Sequence, residues 1–239
     1  MIYINRSIPL SNVSRDAWRN AGAIILSRSP VKSKRQLDKG KEDDIIINLG
    51  IGPLHLWGMT TYNEHESVRS VITPAALRET LGNLIPPWPN VGEEAWWKGP
   101  GYGGHNKYRG VNTATGHLEH LMTKSWDVQK HIEGIEYRVV TVGNVVVQAH
   151  RKDNRTEIDD SLMFLWNWVG VKGVSNNGII PLVKKAVELI PNGDFSMFGW
   201  DIIVSEGRPY IIEGNSSPGV NNTTAKRIVG QIVRNHEIS

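Results

Sequence analysis

The chain contains no cysteine. That excludes a disulfide scaffold, a cysteine-ligated zinc or iron–sulfur centre and a thiol nucleophile. No apolar run approaches the ~20 residues of a membrane-spanning helix. The segment from Met1 to Leu10 lacks the charged-then-apolar layout of a secretory leader. No membrane partner is therefore expected, and the expected location is cytoplasmic. Charge of one sign is also scarce: 27 Lys and Arg against 24 Asp and Glu leave +3 over 239 residues. Nucleic-acid binding is not indicated by so weak a balance. At roughly 100–200 residues per domain, the length suits one large domain or two small lobes.

Periodicity sketches the elements. Ala23–Leu26 reads as a short buried strand. Ile45-Ile46-Ile47-Asn48-Leu49 reads as a strand buried on both faces, as in a parallel sheet. The segment from His65 to Asn83 is helical, and Pro74 must open a second helix or kink the first. The proline cluster Ile85–Pro89 is the best boundary candidate. Glu94–Lys98 is strand-like, Lys124–Ile132 contains another strand, and long hairpins begin at Glu136. Pro181–Ile190 and Thr224–His236 read as helices. The basic run Lys32–Lys41 reads as a solvated face.

Three constellations carry chemistry. The first is a hairpin, Phe198–Val204 and Pro209–Asn215, with Asp201, Glu213 and Asn215 set among apolar residues. Glu213 and Asn215 are two apart and share a face. A three-residue loop at Glu206–Arg208 would set Asp201 opposite Glu213; a two-residue loop would put them on opposite faces. Three convergent oxygens would suit Mg²⁺. The second is Lys98 followed by Gly99, Gly101, Gly103 and Gly104, where backbone amides and an ammonium can cradle phosphate. The third is a hairpin turning at Gly143-Asn144. Such a turn pairs Glu136 with Arg151 and places Glu136, Arg138 and Arg151 on one face, where two guanidiniums can grip phosphate or carboxylate oxygens.

The order of these pieces resembles the ATP-grasp superfamily, nearest its RimK-like ligase branch. Glu213-Gly214-Asn215-Ser216-Ser217-Pro218-Gly219 is the most specific match, and Asp201 falls where the family places its other metal carboxylate. Lys98 resembles the lysine that touches ATP phosphates. Gln129-Lys130-His131-Ile132 resembles the interlobe strand whose backbone binds adenine. Glu136-Tyr137-Arg138 with Arg151 resembles the hairpin after the hinge. One departure stands out: the helical stretch Glu64–Asn83 lacks the family's second phosphate-binding lysine and offers only Arg69 and Arg78.

The resemblance implies an α+β ATP-grasp fold, with two α+β lobes clamping ATP after a short α/β N-terminal domain. The implied boundaries are 1–85, 86–132 and 133–239. It implies an ATP-dependent ligase joining a carboxylate to an amine through an acylphosphate, with peptide, protein or carrier-borne substrates within reach. The implied cofactors are ATP and Mg²⁺, with Mn²⁺ as a substitute. The implied metal ligands are Asp201, Glu213 and Asn215. The implied nucleotide contacts are Lys98, Gly101, Gly103, Gly104, Gln129, His131, Ile132 and Glu136. Arg138 and Arg151 would be catalytic. The competing readings are a non-catalytic nucleotide-binding protein on a decayed ATP-grasp fold, and a nucleic-acid binder. His117 and His120 around Glu119 form a weaker zinc candidate, and Trp166-Asn167-Trp168 a weaker pocket wall.

Overall fold

A computed structural model describes residues 1–6, 10–26, 43–49, 59–98, 107–113, 127–158, 161–168, 174 and 177–237. The strands are β1 (Ile2–Arg6), β2 (Ile24–Ile25), β3 (Ile45–Leu49), β4 (Thr60–Tyr62), β5 (Glu94–Lys98), β6 (Lys107–Val111), β7 (Asp127–Lys130), β8 (Ile135–Val142), β9 (Val145–Ile158), β10 (Ser161–Trp168), β11 (Met197–Ser205) and β12 (Arg208–Asn215). The helices are α1 (Asn12–Asn20), α2 (His65–Ile72), α3 (Pro74–Leu81), α4 (Ile179–Leu189) and α5 (Asn222–Glu237).

The N-terminal sheet is parallel, in the order β2-β1-β3-β4. The isoleucine-rich β3 lies inside it with all five residues buried, as a strand covered on both faces requires. The reading of Ala23–Leu26 as buried needs one correction: Ile24 is exposed, because β2 is an edge strand. Pro74 opens a second helix. Thr73 caps it by accepting from the Ala76 amide at 3.2 Å, and proline costs nothing at the first helical position.

A small antiparallel sheet follows, β6-β5-β7, and then a five-stranded antiparallel sheet, β10-β9-β8-β11-β12. The larger sheet separates two cores. One face carries Tyr137, Val139, Ala149, Phe198, Trp200 and Ile211 against α2, α3 and α4. The other carries Val140, Val142, Val147 and Met197 against the parallel sheet, α1 and α5. That second face is apolar only over part of its length. Along β8 it runs from Val142 and Val140 to Arg138 and Glu136, so the core gives way to a polar surface within one strand.

Both long hairpins depart from regular pairing. In the first, Val142 pairs with Val145 around the Gly143-Asn144 turn, as expected. Gly143 has φ +53°, the backbone a turn of this type demands. The register then shifts between Val140 and Thr141, leaving Val147 as an extra residue on β9. In the second, the turn is Glu206-Gly207, with φ +49° and +78°, and Ser205 pairs with Arg208. That is the two-residue loop. The register shifts between Asp201 and Ile202, leaving Ile212 extra on β12.

The motif loop after β12 is seated by close packing. A Cβ on Gly199 would lie 2.8 Å from Pro218 Cβ, so only glycine lets the loop approach β11 this closely. Buried Asn63 holds the same region. Its amide nitrogen donates to the carbonyls of Asn48, Met197 and Ser216, and its oxygen accepts from the Met197 amide.

Candidate active site

A cavity of about 390 Å³ lies between the small sheet and the polar end of the five-stranded sheet. The small sheet and the segment after it contribute Trp96, Lys98, Arg109, Gln129, Lys130, His131 and Ile132. The five-stranded sheet contributes Glu136, Lys152, Ile203, Ile212 and Glu213. Six of the expected nucleotide and metal residues therefore share one cavity: Lys98, Gln129, His131, Ile132, Glu136 and Glu213. Gly101, Gly103, Gly104 and the His117–His120 pair lie outside the described residues, as do the side chains of Trp166, Asn167 and Trp168.

The floor is set by the bulge at Ile212. Its two-residue turn alone would point Glu213 into the core against Trp200. The extra residue returns Glu213 to the cleft face, directly opposite Asp201. Ile212 and Glu213, adjacent in sequence, then both line the cavity. Gly214 takes the inward position, where a Cβ would lie 3.1 Å from Val71 and 3.2 Å from Trp200.

Asp201 also faces Arg138 on β8. Arg138 grips it with two parallel bonds, Nε to Oδ1 at 2.7 Å and Nη2 to Oδ2 at 2.8 Å. This bond, with the added fields of Glu213 and Glu136, raises the Arg138 pKa further and keeps it cationic. Asn215, the third expected oxygen, is exposed, and its Oδ1 accepts from the Ser217 amide at 2.8 Å. Two facing carboxylates suit Mg²⁺, which takes one or two from protein and fills its octahedron with phosphate and water. Among the described residues no cluster of three His, Cys, Asp or Glu side chains forms.

The third hairpin reading is corrected. The extra Val147 shifts the pairing, so Tyr137 faces Arg151 and Arg138 faces His150. Arg151 therefore lies on the Tyr137 side and does not share a face with Glu136 and Arg138. Lys152 takes the cleft side and pairs with Glu136. A one-residue slip reverses every subsequent side chain, and nothing in the local sequence marks Val147 as the residue that slips.

The small-sheet wall is ordered by a hydrogen-bonded chain. Buried Asp127 pairs with Arg78 of α3 and accepts from Gln129 Nε2 at 2.9 Å. Gln129 Oε1 accepts from Lys98 Nζ at 2.7 Å, and Lys98 donates again to the Ile212 carbonyl at 2.6 Å. Lys98 thus joins the two sheets. Arg78 also donates to the Pro86 and Val128 carbonyls at 3.0 and 3.1 Å and stacks on Trp88, 4.5 Å from the ring centre. It braces the proline-rich connection and does not line the cavity. Sequence reading noted Arg78 only as a stand-in phosphate ligand and missed Asp127, Lys152 and Trp96.

At the end of the cavity lined by residues 130–132, the Lys130 and His131 amides donate to the Pro87 and Glu94 carbonyls. Trp96 Nε1 donates to His131 Nδ1 at 3.0 Å, so a neutral His131 carries its proton on Nε2. Arg109 and Lys130 sit at the rim, paired with Glu94 and Glu93. Those pairs hold both carboxyls below their usual range.

Residues 100–219 match the family model described as an ATP-grasp domain. Solved structures with the same arrangement include D-alanine–D-alanine ligase from Bacillus anthracis, at 13% identity and TM-score 0.64, with 99% of this chain and 98% of that one covered. They include the ATP-grasp ligase PsnB complexed with a minimal precursor, at 14% identity and TM-score 0.67, with 98% of each chain covered. A RimK domain ATP-grasp protein from Sphaerobacter thermophilus matches at 14% identity and TM-score 0.59, covering 97% of this chain and 99% of that one. No curated protein sequence matches. At these identities the structural likeness establishes the fold.

Proposed function

Since this chain belongs to the ATP-grasp family, we propose that it is an ATP-dependent ligase that joins a carboxylate to an amine. The observation that carries this reading is the cavity lined by the segment 129–132 and by Glu213, which pairs across the hairpin with Asp201, with Lys98 joining the two walls. Solved neighbours include PsnB with Mg and ADP and an L-amino acid ligase from Bacillus licheniformis, which supports a nucleotide, a divalent ion and an amino-acid or peptide substrate. Residues 86–132 act as the small lobe and 133–239 as the large one, behind the N-terminal domain 1–85.

Adenine lies along 129–132 and hydrogen-bonds to backbone groups of that segment. Glu136 accepts from the ribose hydroxyls. Lys98, with Gly101, Gly103 and Gly104, covers the phosphates. The γ-phosphoryl group passes to a substrate carboxylate oxygen, and ADP leaves. The amine nitrogen then attacks the acyl carbon, loses its proton, and phosphate departs. Asp201, Glu213 and Asn215 would hold Mg²⁺, which would supply positive charge to offset that of the phosphates. Arg138, kept cationic and aimed by Asp201, steadies the transferring phosphoryl group. Positioning and charge do the catalytic work, in keeping with a chain that has no thiol.

The test is ADP release with ATP and Mg²⁺ across a panel of amino acids, polyamines and carboxylate-bearing peptides. Release that depends on both a carboxylate and an amine is expected. Tight ATP binding without release under any pairing would replace the ligase reading with that of a non-catalytic nucleotide-binding protein.

A further inference from the structure

A second cavity, of about 370 Å³, is bordered by Arg78 of α3, Ile85, Pro87, Trp88, and Arg208 and Tyr210 of β12. It meets the proline-rich segment one residue beyond the first cavity, at Pro87 where the first meets Pro86. We propose that this second cavity is a binding site for an organic anion, a carboxylate or phosphate group carried on an apolar body. The proposal does not draw on the ligase reading.

The charge of the walls sets the sign of the ligand. The described lining residues include two guanidiniums and no carboxylate. Arg78 uses Nε and Nη2 on Asp127 and on the Pro86 and Val128 carbonyls, and its Nη1 makes no hydrogen bond to a described residue. Arg208 lies over the Tyr210 ring, 4.9 Å from its centre. Among the described residues the Arg208 guanidinium has no ion-pair or hydrogen-bond partner. Both guanidiniums are thus stacked on aromatic rings, Arg78 on Trp88 and Arg208 on Tyr210. Stacking steadies the plane and leaves N–H edges for the paired oxygens of a carboxylate or phosphate. The remaining walls set the body of the ligand. Ile85, Pro87 and the Trp88 indole, 42% exposed, give an apolar surface beside the cations. The volume falls in the ~300–1,000 Å³ range of small organic ligands and is far more than a bare inorganic anion fills.

Nuclear magnetic resonance of the full chain tests this, read at the Trp88 indole N–H, which is assigned by its loss in Trp88→Phe. The probes are phenyl phosphate, benzoate, inorganic phosphate and neutral benzyl alcohol. Phenyl phosphate or benzoate should shift the Trp88 resonance saturably, and the tighter of the two identifies the headgroup. Inorganic phosphate should bind about 10-fold more weakly than phenyl phosphate, because it leaves the apolar wall uncovered. Benzyl alcohol should leave the resonance unmoved. Arg208→Gln should weaken the anion about 10- to 100-fold, the usual cost of a lost charge-assisted bond. Arg208 is exposed, so this variant should keep its fold. Arg19→Gln, an exposed change on α1, should leave binding unchanged. The assignment is overturned if neither organic anion shifts Trp88, if benzyl alcohol matches them, or if Arg208→Gln binds as tightly as the parent chain. Inorganic phosphate binding as tightly as phenyl phosphate also overturns it. So does a response confined to Trp96, which lines the first cavity.

Discussion

Asp201 and Glu213 face each other across a hairpin whose two-residue turn, on its own, would point them in opposite directions. The single extra residue Ile212 reconciles the two facts. It also presents the carbonyl that receives Lys98 from the small sheet. One irregular position therefore aligns the carboxylates and ties the two walls of the cleft together.

Glu213→Gln removes one of the facing charges but keeps its shape. ADP release should fall more than about 100-fold, since charge stabilisation at a metal-bound phosphate is worth several kcal/mol. The thermal midpoint should stay close to that of the parent chain, because Glu213 faces the cavity and not a core. Full turnover in this variant would refute the metal assignment.

Arg78→Ala should destabilise the fold by about 3–5 kcal/mol in urea titration. It strips the partner from Asp127, whose side chain is 1% exposed, and an unpaired buried carboxylate is costly. The double change Arg78→Ala, Asp127→Asn should recover part of that loss. No recovery would mean that the bonds to the Pro86 and Val128 carbonyls and the stacking on Trp88, not charge pairing, are what Arg78 supplies.

Alkaline pH should reveal Tyr62. Its ring is buried edge-on to Phe195 and His236, with Asn235 at its hydroxyl. Burial raises the phenol above its ordinary 10.0 and outweighs the opposing Asn235 bond. The folded state thus prefers the neutral form. The stabilisation from this phenol is complete below the unfolded value, about pH 10, and is lost as pH rises towards the folded one. Urea unfolding of Tyr62→Phe should show a shallower fall above pH ~10 than the parent chain. Parallel curves would show that Tyr62 does not titrate in this way.

By itself the sequence determined the elements and most of the membership of the cleft. Isoleucine runs make β3 an interior strand, Pro74 with Thr73 divides α2 from α3, and Gly143-Asn144 turns a hairpin, because each signal is local to its own residues. Lys98, Gln129, His131, Ile132, Glu136 and Glu213 were assigned through the resemblance to the ATP-grasp family, and one cavity brings all six together. Tertiary packing decided which way certain side chains point. Strand side chains alternate with a period of two, so one extra residue exchanges the buried face for the open one. Val147 and Ile212 each end a short apolar run, and no pattern distinguishes them as bulges. Their positions follow from what the faces must bury: without the second bulge a carboxylate would press against Trp200 and Val71, where Gly214 now sits. The same packing sent Lys152 rather than Arg151 into the cleft and turned Arg78 from a candidate phosphate ligand into the brace of the hinge.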